Sequence, residues 1–192
     1  MQLVAASKMR KTQAQMQRSR PYAEKIRQVI AHLAASHSEY RHPYLIPKEK
    51  VNNIGLIVVS TDRGLCGGLN INLFRQVLQH MRQWDEEGKK ISLCLVGKKA
   101  QSFFSRVGGE VLATAQDLGN KPTMSDVIGV VKTMLDAYDE QKLDQLFIVH
   151  NEFVSTMTQK PKILPLLPLE VSADEELKHH WDYLYEPEAE SL

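Results

Sequence analysis

One glycine-rich stretch, Ser60–Asn70, holds the residues best suited to bind or react with a ligand. It directly follows the apolar run Ile54–Val59 and precedes a segment in which apolar residues recur with helical spacing. A glycine-rich turn that opens a helix can hold phosphate, because the first amides of the helix lack partners and the helix dipole favours an anion. The spacing is G-x-x-G-G, set by Gly64, Gly67 and Gly68. Neither nucleotide-binding fingerprint has this spacing, and no lysine follows it.

These spacings favour a structural turn over a ligand site. We expect Asp62 and Arg63 to make local hydrogen bonds in the turn and Asn70 to cap the helix that follows. Cys66 lies where a helix start can lower a thiol pKa, but no histidine and asparagine follow in the order of a catalytic triad.

The seven histidines give no pair with the helical spacing of metal ligands. The residues therefore predict no catalytic group, metal or cofactor. A small nucleotide- or phosphate-binding α/β protein that uses Gly64–Gly68 is the alternative function.

Apolar runs and amphipathic segments alternate on both sides of this turn. Short runs that are apolar on both faces are typical of strands covered by helices on either side. Strands are predicted at 54–59, 91–96, 110–115, 146–149 (continued by 153–157) and, as a proline-containing edge strand, 163–169. Helices are predicted at 70–87, 98–107 and 124–140, the last opened by a capping box at Thr123–Asp126. This alternation predicts an α/β fold, a Rossmann-like three-layer domain with a mostly parallel sheet.

Residues 2–40 predict one long helix beyond the needs of that domain. Small and apolar residues recur at a and d positions through this segment, which indicates a coiled coil. At the usual helical rise the element would be about 60 Å long. Pro21 is expected to kink or break it, and an amphipathic helix folded back on the domain is the alternative arrangement. The predicted divisions are a coiled-coil helix at 1–42, a linker at 43–53, the α/β domain at 54–170 and an acidic, aromatic tail at 171–192.

The two ends of the chain carry opposite charge although the net charge is only +1. Eight lysines and arginines face two acids between Met1 and His42, whereas eight acids face one lysine between Glu170 and Leu192. Such polarity indicates protein partners for the ends. We expect no nucleic-acid partner, because no aromatic residue precedes Tyr22 and no nucleic-acid fold signature follows. Two cysteines are too few for a disulfide framework, and no apolar run has the length of a membrane span.

Two motifs and the order of elements between them resemble the gamma subunit of the F-type ATP synthase in its bacterial form. The motifs are Val4–Lys11 and Ser60–Asn70, and the resemblance covers nearly the whole chain. It implies a non-catalytic central-stalk rotor that couples proton-driven rotation of the membrane ring to ATP synthesis or hydrolysis at the beta subunits. The implied partners are the alpha and beta subunits, the epsilon subunit and the membrane ring of c subunits. The implied location is peripheral, on the cytoplasmic face of the bacterial plasma (inner) membrane.

The resemblance also implies roles for individual residues. Lys8, Arg10 and Lys11 would face acidic loops of the beta subunit. Tyr183, Tyr185 and Glu186 would form a foot near the epsilon subunit and the ring. The signature loop, to which the family assigns no catalysis, comprises Asp62, Arg63, Gly64, Cys66, Gly67, Gly68 and Asn70.

Two departures from the family pattern concern the coiled-coil helices. The family's first helix starts several turns before the position of Met1, and its long C-terminal helix should follow Pro187. We therefore expect a truncated form whose helix 2–40 lacks its helical partner. Such a helix exposes apolar surface, so we expect the chain to self-associate through it.

Overall fold

Residues 2–36, 42–119 and 122–169 are described by the computed structural model of the chain. The chain divides after Arg41 into two units. Helix α1, Gln2–Ser36, belongs to the first unit, and the described residues from His42 to Leu169 belong to the second. The predicted foot residues Tyr183, Tyr185 and Glu186 lie outside the described residues.

The second unit is built on a five-stranded sheet with the order β3-β2-β1-β4-β5. The strands are β1 Asn53–Val59, β2 Lys90–Val96, β3 Glu110–Ala115, β4 Gln145–Phe153 and β5 Gln159–Leu167. Strands β1 to β4 run parallel to one another, and β5 pairs antiparallel with β4 at the edge. The predicted α/β fold class with its mostly parallel sheet is confirmed. The prolines of β5 fit its edge position, because an edge strand tolerates a missing amide donor.

One boundary at this edge differs from the prediction. Residues 153–157 were expected to continue the fourth strand, but β4 ends at Phe153 and the chain turns. The amide of Val154 donates to the carbonyl oxygen of Thr158 at 3.2 Å, which closes a tight connection to β5. As a result β4 continues beyond the predicted apolar run 146–149, and β5 begins before the predicted run 163–169.

Three helices cover the two faces of the sheet: α2 Leu69–Glu86, α3 Lys98–Val107 and α4 Met124–Asp139. The side chains of α2 and α3 share one apolar core with β1 and β2, and α4 forms a second core on the opposite face. The capping box before α4 is present, with the Thr123 amide donating to the Asp126 carboxylate at 2.7 Å. The apolar faces of these helices thus explain the three layers.

Of the kink or break expected at Pro21, the break does not occur, because helix α1 is continuous through this residue. The last residues of the predicted helix, 37–40, lie outside the described part of the chain. No side chain described between Ala6 and Ile30 is buried, and Met9 is 50% exposed. Among the helices the structure describes, none combines the length and the apolar character needed to cross a bilayer.

Candidate functional site

The glycine-rich loop lies at the carboxyl end of β1 and leads into α2. The carboxyl ends of β2 and β3 adjoin it, because these strands run parallel to β1. Open α/β sheets bind their ligands at this end. The loop therefore occupies the position where a nucleotide or phosphate site would be expected.

Asp62 joins the carboxyl ends of three strands. Its Oδ1 accepts a hydrogen bond from the Lys98 amide at 3.0 Å, and its Oδ2 accepts one from the Leu118 amide at 2.9 Å. Lys98 lies just beyond β2, and Leu118 lies just beyond β3. The expected local hydrogen bonds of Asp62 were wrong, since these partners are 36 and 56 residues away along the chain.

The first amides of α3 all have partners within the protein. The Lys98 amide donates to Asp62, the Lys99 amide to the carbonyl oxygen of Thr61 at 3.1 Å, and the Ala100 amide to Ser60 Oγ at 2.8 Å. A helix start attracts phosphate through unpaired amides. In this protein the Asp62 carboxylate, the Thr61 carbonyl oxygen and the Ser60 hydroxyl accept the amides that an anion would otherwise bind at α3.

Gly97 allows the backbones beyond β1 and β2 to approach each other. Its φ is 97°, and a Cβ at this position would lie 2.5 Å from the carbonyl oxygen of Ser60. A side chain cannot fit there without moving the backbone. Sequence reasoning missed this residue, although a glycine between an apolar strand and a helix is a signal that could have indicated a close approach.

Asn70 closes the loop from inside the helix. The helix cap is Gly68, so the expectation that Asn70 caps α2 was wrong. The buried Asn70 side chain instead folds back, donating from Nδ2 to Thr61 Oγ1 at 2.7 Å and to Cys66 Sγ at 3.3 Å. The Thr61 amide donates to Asn70 Oδ1 at 3.3 Å. Cys66 is thus a half-buried free thiol that takes part in the internal bonding of the loop.

The tip of the loop faces solvent. Arg63, Gly64 and Leu65 are exposed, and Leu65 adopts a positive φ of 61°. Gly67 has a φ of 60°, which glycine adopts without strain. The two halves of the loop therefore differ: the base around Asp62 and Asn70 is tied to the domain, and the tip projects outward.

The predicted contact residues of the coiled-coil helix are not part of this site. Lys8, Arg10 and Lys11 are exposed side chains near the start of α1, which belongs to the other unit. Their facing toward a beta subunit stays a prediction. Within the described residues, no group of three or more histidines, cysteines, aspartates or glutamates is arranged to hold a metal.

The fold and this loop define a class: a Rossmann-like α/β domain in which the base of the loop at the usual ligand edge is bonded to neighbouring strand ends. Comparison with known proteins gives the family. A family profile described as ATP synthase matches residues 1–192. The chain is 56% identical over 195 residues to the ATP synthase gamma chain of Nitrosococcus oceani, covering 100% of this chain and 67% of that protein. It is 55% identical over 194 residues to that of Legionella pneumophila, with the same coverage. The chain belongs to the ATP synthase gamma-chain family.

A solved structure supports the fold independently. The central stalk and c-ring structure of the mitochondrial ATP synthase from Tetrahymena thermophila matches with a TM-score of 0.59 and 19% sequence identity. The match covers 86% of this chain and 70% of that chain. At this identity the likeness concerns the fold alone. The chain spans about two thirds of the length of the gamma chains it matches.

Proposed function

We propose that this chain is a central-stalk rotor subunit of ATP synthase. In this role it couples proton-driven rotation of the membrane ring to ATP synthesis or hydrolysis at the beta subunits. The observation that carries the proposal is the 56% identity to a gamma chain across 100% of this chain. The relatives are gamma chains of bacteria, which favours the cytoplasmic face of the bacterial plasma membrane as the location.

The role of the chain in this proposal is mechanical rather than catalytic. The geometry of the loop supports it, because the polar groups at the base of the loop are bonded to one another. The rival function, phosphate binding at Gly64–Gly68, would need unpaired amides at this edge. At the neighbouring helix α3 the first amides already have partners, so an anion at this edge could bind only at the loop itself and the start of α2.

The contacts of this rotor follow from the charge and exposure of its ends. The exposed cations Lys8, Arg10 and Lys11 of α1 would contact acidic loops of the beta subunits within the ring of alpha and beta subunits. The foot residues Tyr183, Tyr185 and Glu186 would contact the epsilon subunit and the c-ring. Self-association through the exposed positions of α1 would compete with these contacts in the isolated chain.

Reconstitution with alpha and beta subunits of a bacterial relative tests the proposal. We expect the chain to co-purify with them and to change the rate of ATP hydrolysis by the mixture. The double variant Lys8→Glu/Lys11→Glu should weaken co-purification, because it opposes like charges. The control Lys50→Glu/Lys132→Glu makes the same charge change on exposed lysines of the domain and should have no effect.

Calorimetric titration with ATP, ADP and NAD separates the two functions. A rotor subunit should bind none of them at submillimolar concentration. Binding in that range, together with a failure to co-purify with alpha and beta subunits, would replace the rotor proposal with the nucleotide-binding alternative.

A further inference from the structure

The segment 42–52, which leads into β1, is fastened to the domain at several points. A 3-10 turn, Pro43–Leu45, opens it. Most of its side-chain partners lie between Tyr138 and Asp144, at the end of α4 and just before β4. We call the set Tyr44, Lys48, Tyr138 and Asp144 the linker anchor.

Asp144 is the polar centre of the linker anchor. Its residue is only 8% exposed, and Oδ2 accepts hydrogen bonds from the amides of Asn52 at 2.9 Å and Asn53 at 2.8 Å. The amide of Asp144 in turn donates to the carbonyl oxygen of Asn53 at 2.8 Å. A buried carboxylate that accepts several backbone amides holds those backbones in one geometry.

Lys48, four residues before Asn52, adds a charged contact. Its Nζ lies 3.0 Å from Asp144 Oδ1 and donates to the carbonyl oxygen of Leu143 at 2.9 Å. The same Nζ lies 5.4 Å from the centre of the buried Tyr138 ring. Its ammonium group is therefore bound on one side by oxygens and on the other by an aromatic face.

Tyr44 joins this segment to Leu169, which lies just beyond β5. Its ring packs edge-on against Tyr138 at 5.5 Å between centroids. Burial and a hydrogen bond to Asp139 raise the pKa of Tyr44 to about 12, so its hydroxyl remains a donor. The carbonyl oxygen of Tyr44 accepts a hydrogen bond from the Leu169 amide at 2.7 Å. Leu169 also packs against the α4 core, as Tyr44 does.

The chain thus has two covalent connections between this domain and the rest of the protein, one before His42 and one after Glu170, next to Leu169. Both are held by the linker anchor, because the ring of Tyr44 packs against Tyr138 and its carbonyl oxygen accepts the Leu169 amide. We propose that the linker anchor positions both connections as one clamp, so that torque is shared between them. Lys48 and Asp144 are positioning residues in this clamp. The mechanical part of the inference rests on the proposed rotor function.

Amide hydrogen exchange on the chain itself tests the clamp without reference to any function. Lys48→Met keeps the aliphatic stem and removes the charged contact. We expect exchange at Asn52, Asn53 and Leu169 to rise together by about tenfold, relative to amides of β1 and β2. The rise at Leu169 is the decisive reading, because Lys48 makes no bond to it.

Two control variants keep this test specific. Lys50→Met makes the same substitution at an exposed position of the same segment and should leave all three rates unchanged. Tyr138→Phe removes a buried hydroxyl that has no hydrogen-bond partner among the described residues, and it keeps the ring. It should also leave the rates unchanged. If Lys48→Met raises exchange at Asn52 and Asn53 but leaves Leu169 as it was, the two connections are independent and the clamp is wrong.

Proton pumping by the assembled ATP synthase tests the mechanical part. With Lys48→Met in the gamma chain, the ratio of pumping to ATP hydrolysis should fall at least about twofold, whereas Lys48→Arg should restore it because the charge returns. An unchanged ratio in a complex that assembles would overturn the role in torque while leaving the rotor function intact. If the unsubstituted chain does not assemble at all, the rotor function fails, and the exchange measurement still decides whether the clamp exists.

Discussion

The two ends of the sheet are each held by one aspartate, but in different surroundings. Asp62 lies beyond the carboxyl end of β1, is partly exposed, and accepts two backbone amides. Asp144 lies at the amino ends of β1 and β4, is 8% exposed, and accepts two backbone amides together with a lysine. The bonding device is the same at both ends. Burial and the paired charge differ, and these two quantities decide how much the protein loses when the carboxylate is removed.

The comparison also bears on the edge at which open α/β sheets usually bind their ligands. In ligand-binding α/β folds the carboxyl ends of the strands leave polar groups free. In this protein Asp62 bonds the ends of three strands to one another at that edge, whereas Asp144 fastens the linker at the opposite edge. A domain whose strand ends are bonded to one another at both edges suits the transmission of force.

The largest effect is expected from crowding at the carboxyl edge. Gly97 and Gly108 have nearly the same φ, 97° and 95°, and both have extended ψ values. A Cβ added at Gly97 would lie 2.5 Å from a backbone oxygen, whereas one added at Gly108 would meet no atom within 4 Å. Gly108→Ala should cost about 2 kcal/mol from backbone strain alone. Gly97→Ala should cost about 4 kcal/mol, because the clash adds to the same strain. Urea denaturation of both variants measures the difference, and equal losses would mean that the approach to Ser60 is not tight.

The next largest effect is expected at the buried aspartate. Asp144→Ala should lower the free energy of unfolding by about 3 kcal/mol, because it leaves Lys48 and two amides without their acceptor. Asp85→Ala, at an exposed position near the end of α2, should change it by less than about 0.5 kcal/mol. Urea denaturation again provides the measurement. A loss at Asp144 as small as that at Asp85 would remove the distinction drawn between the two ends.

A smaller effect is expected at the partly exposed aspartate. Asp62→Asn should cost about 1.5 kcal/mol, because two charge-assisted bonds to backbone amides weaken while one amide oxygen can still accept. Asp117→Asn is the matched control, since Asp117 pairs with exposed Lys98 at 2.6 Å and asparagine tolerates its positive φ of 57°. Thermal unfolding of the two variants should separate them, and similar midpoints would mean that Asp62 does not hold the strand ends together.

Local patterns in the sequence were sufficient to predict the elements of the domain. The apolar run Ile54–Val59 predicted β1 to within one residue, and the capping box at Thr123–Asp126 predicted the start of α4. The bounds of α3 were predicted correctly as 98–107. These features depend on neighbours within a turn or on burial averaged over a run, and a single sequence contains that information.

The bonds that fasten the elements together could not be predicted in the same way. Asp62 was expected to bond locally, and the predicted linker at 43–53 carried no expectation of bonds to the domain. The partners of Asp62 are 36 and 56 residues away, and Lys48 bonds to Asp144 96 residues away. Which distant amide meets a carboxylate depends on strand order, and apolar periodicity does not determine that order. Asn70 was assigned to the wrong role for a related reason, because a side chain inside the first turn can also fold back over the loop.

The smallest effect separates the charge of Asp144 from its shape. Burial raises the pKa of Asp144, but the amides of Asn52 and Asn53 and the ammonium group of Lys48 outweigh it, so the pKa lies below that of an ordinary aspartate. A lowered folded-state pKa contributes stability that is present above the unfolded value and is lost as the pH falls through the folded value. The difference in stability between the unsubstituted chain and Asp144→Asn should therefore be constant at neutral pH and should shrink below about pH 3.8. Other acids titrate equally in both proteins and cancel in this difference. Urea denaturation of both proteins across this range measures it, and a difference that stays constant at acid pH would mean that the carboxylate acts through its shape, as the amide of asparagine would, and not through its charge.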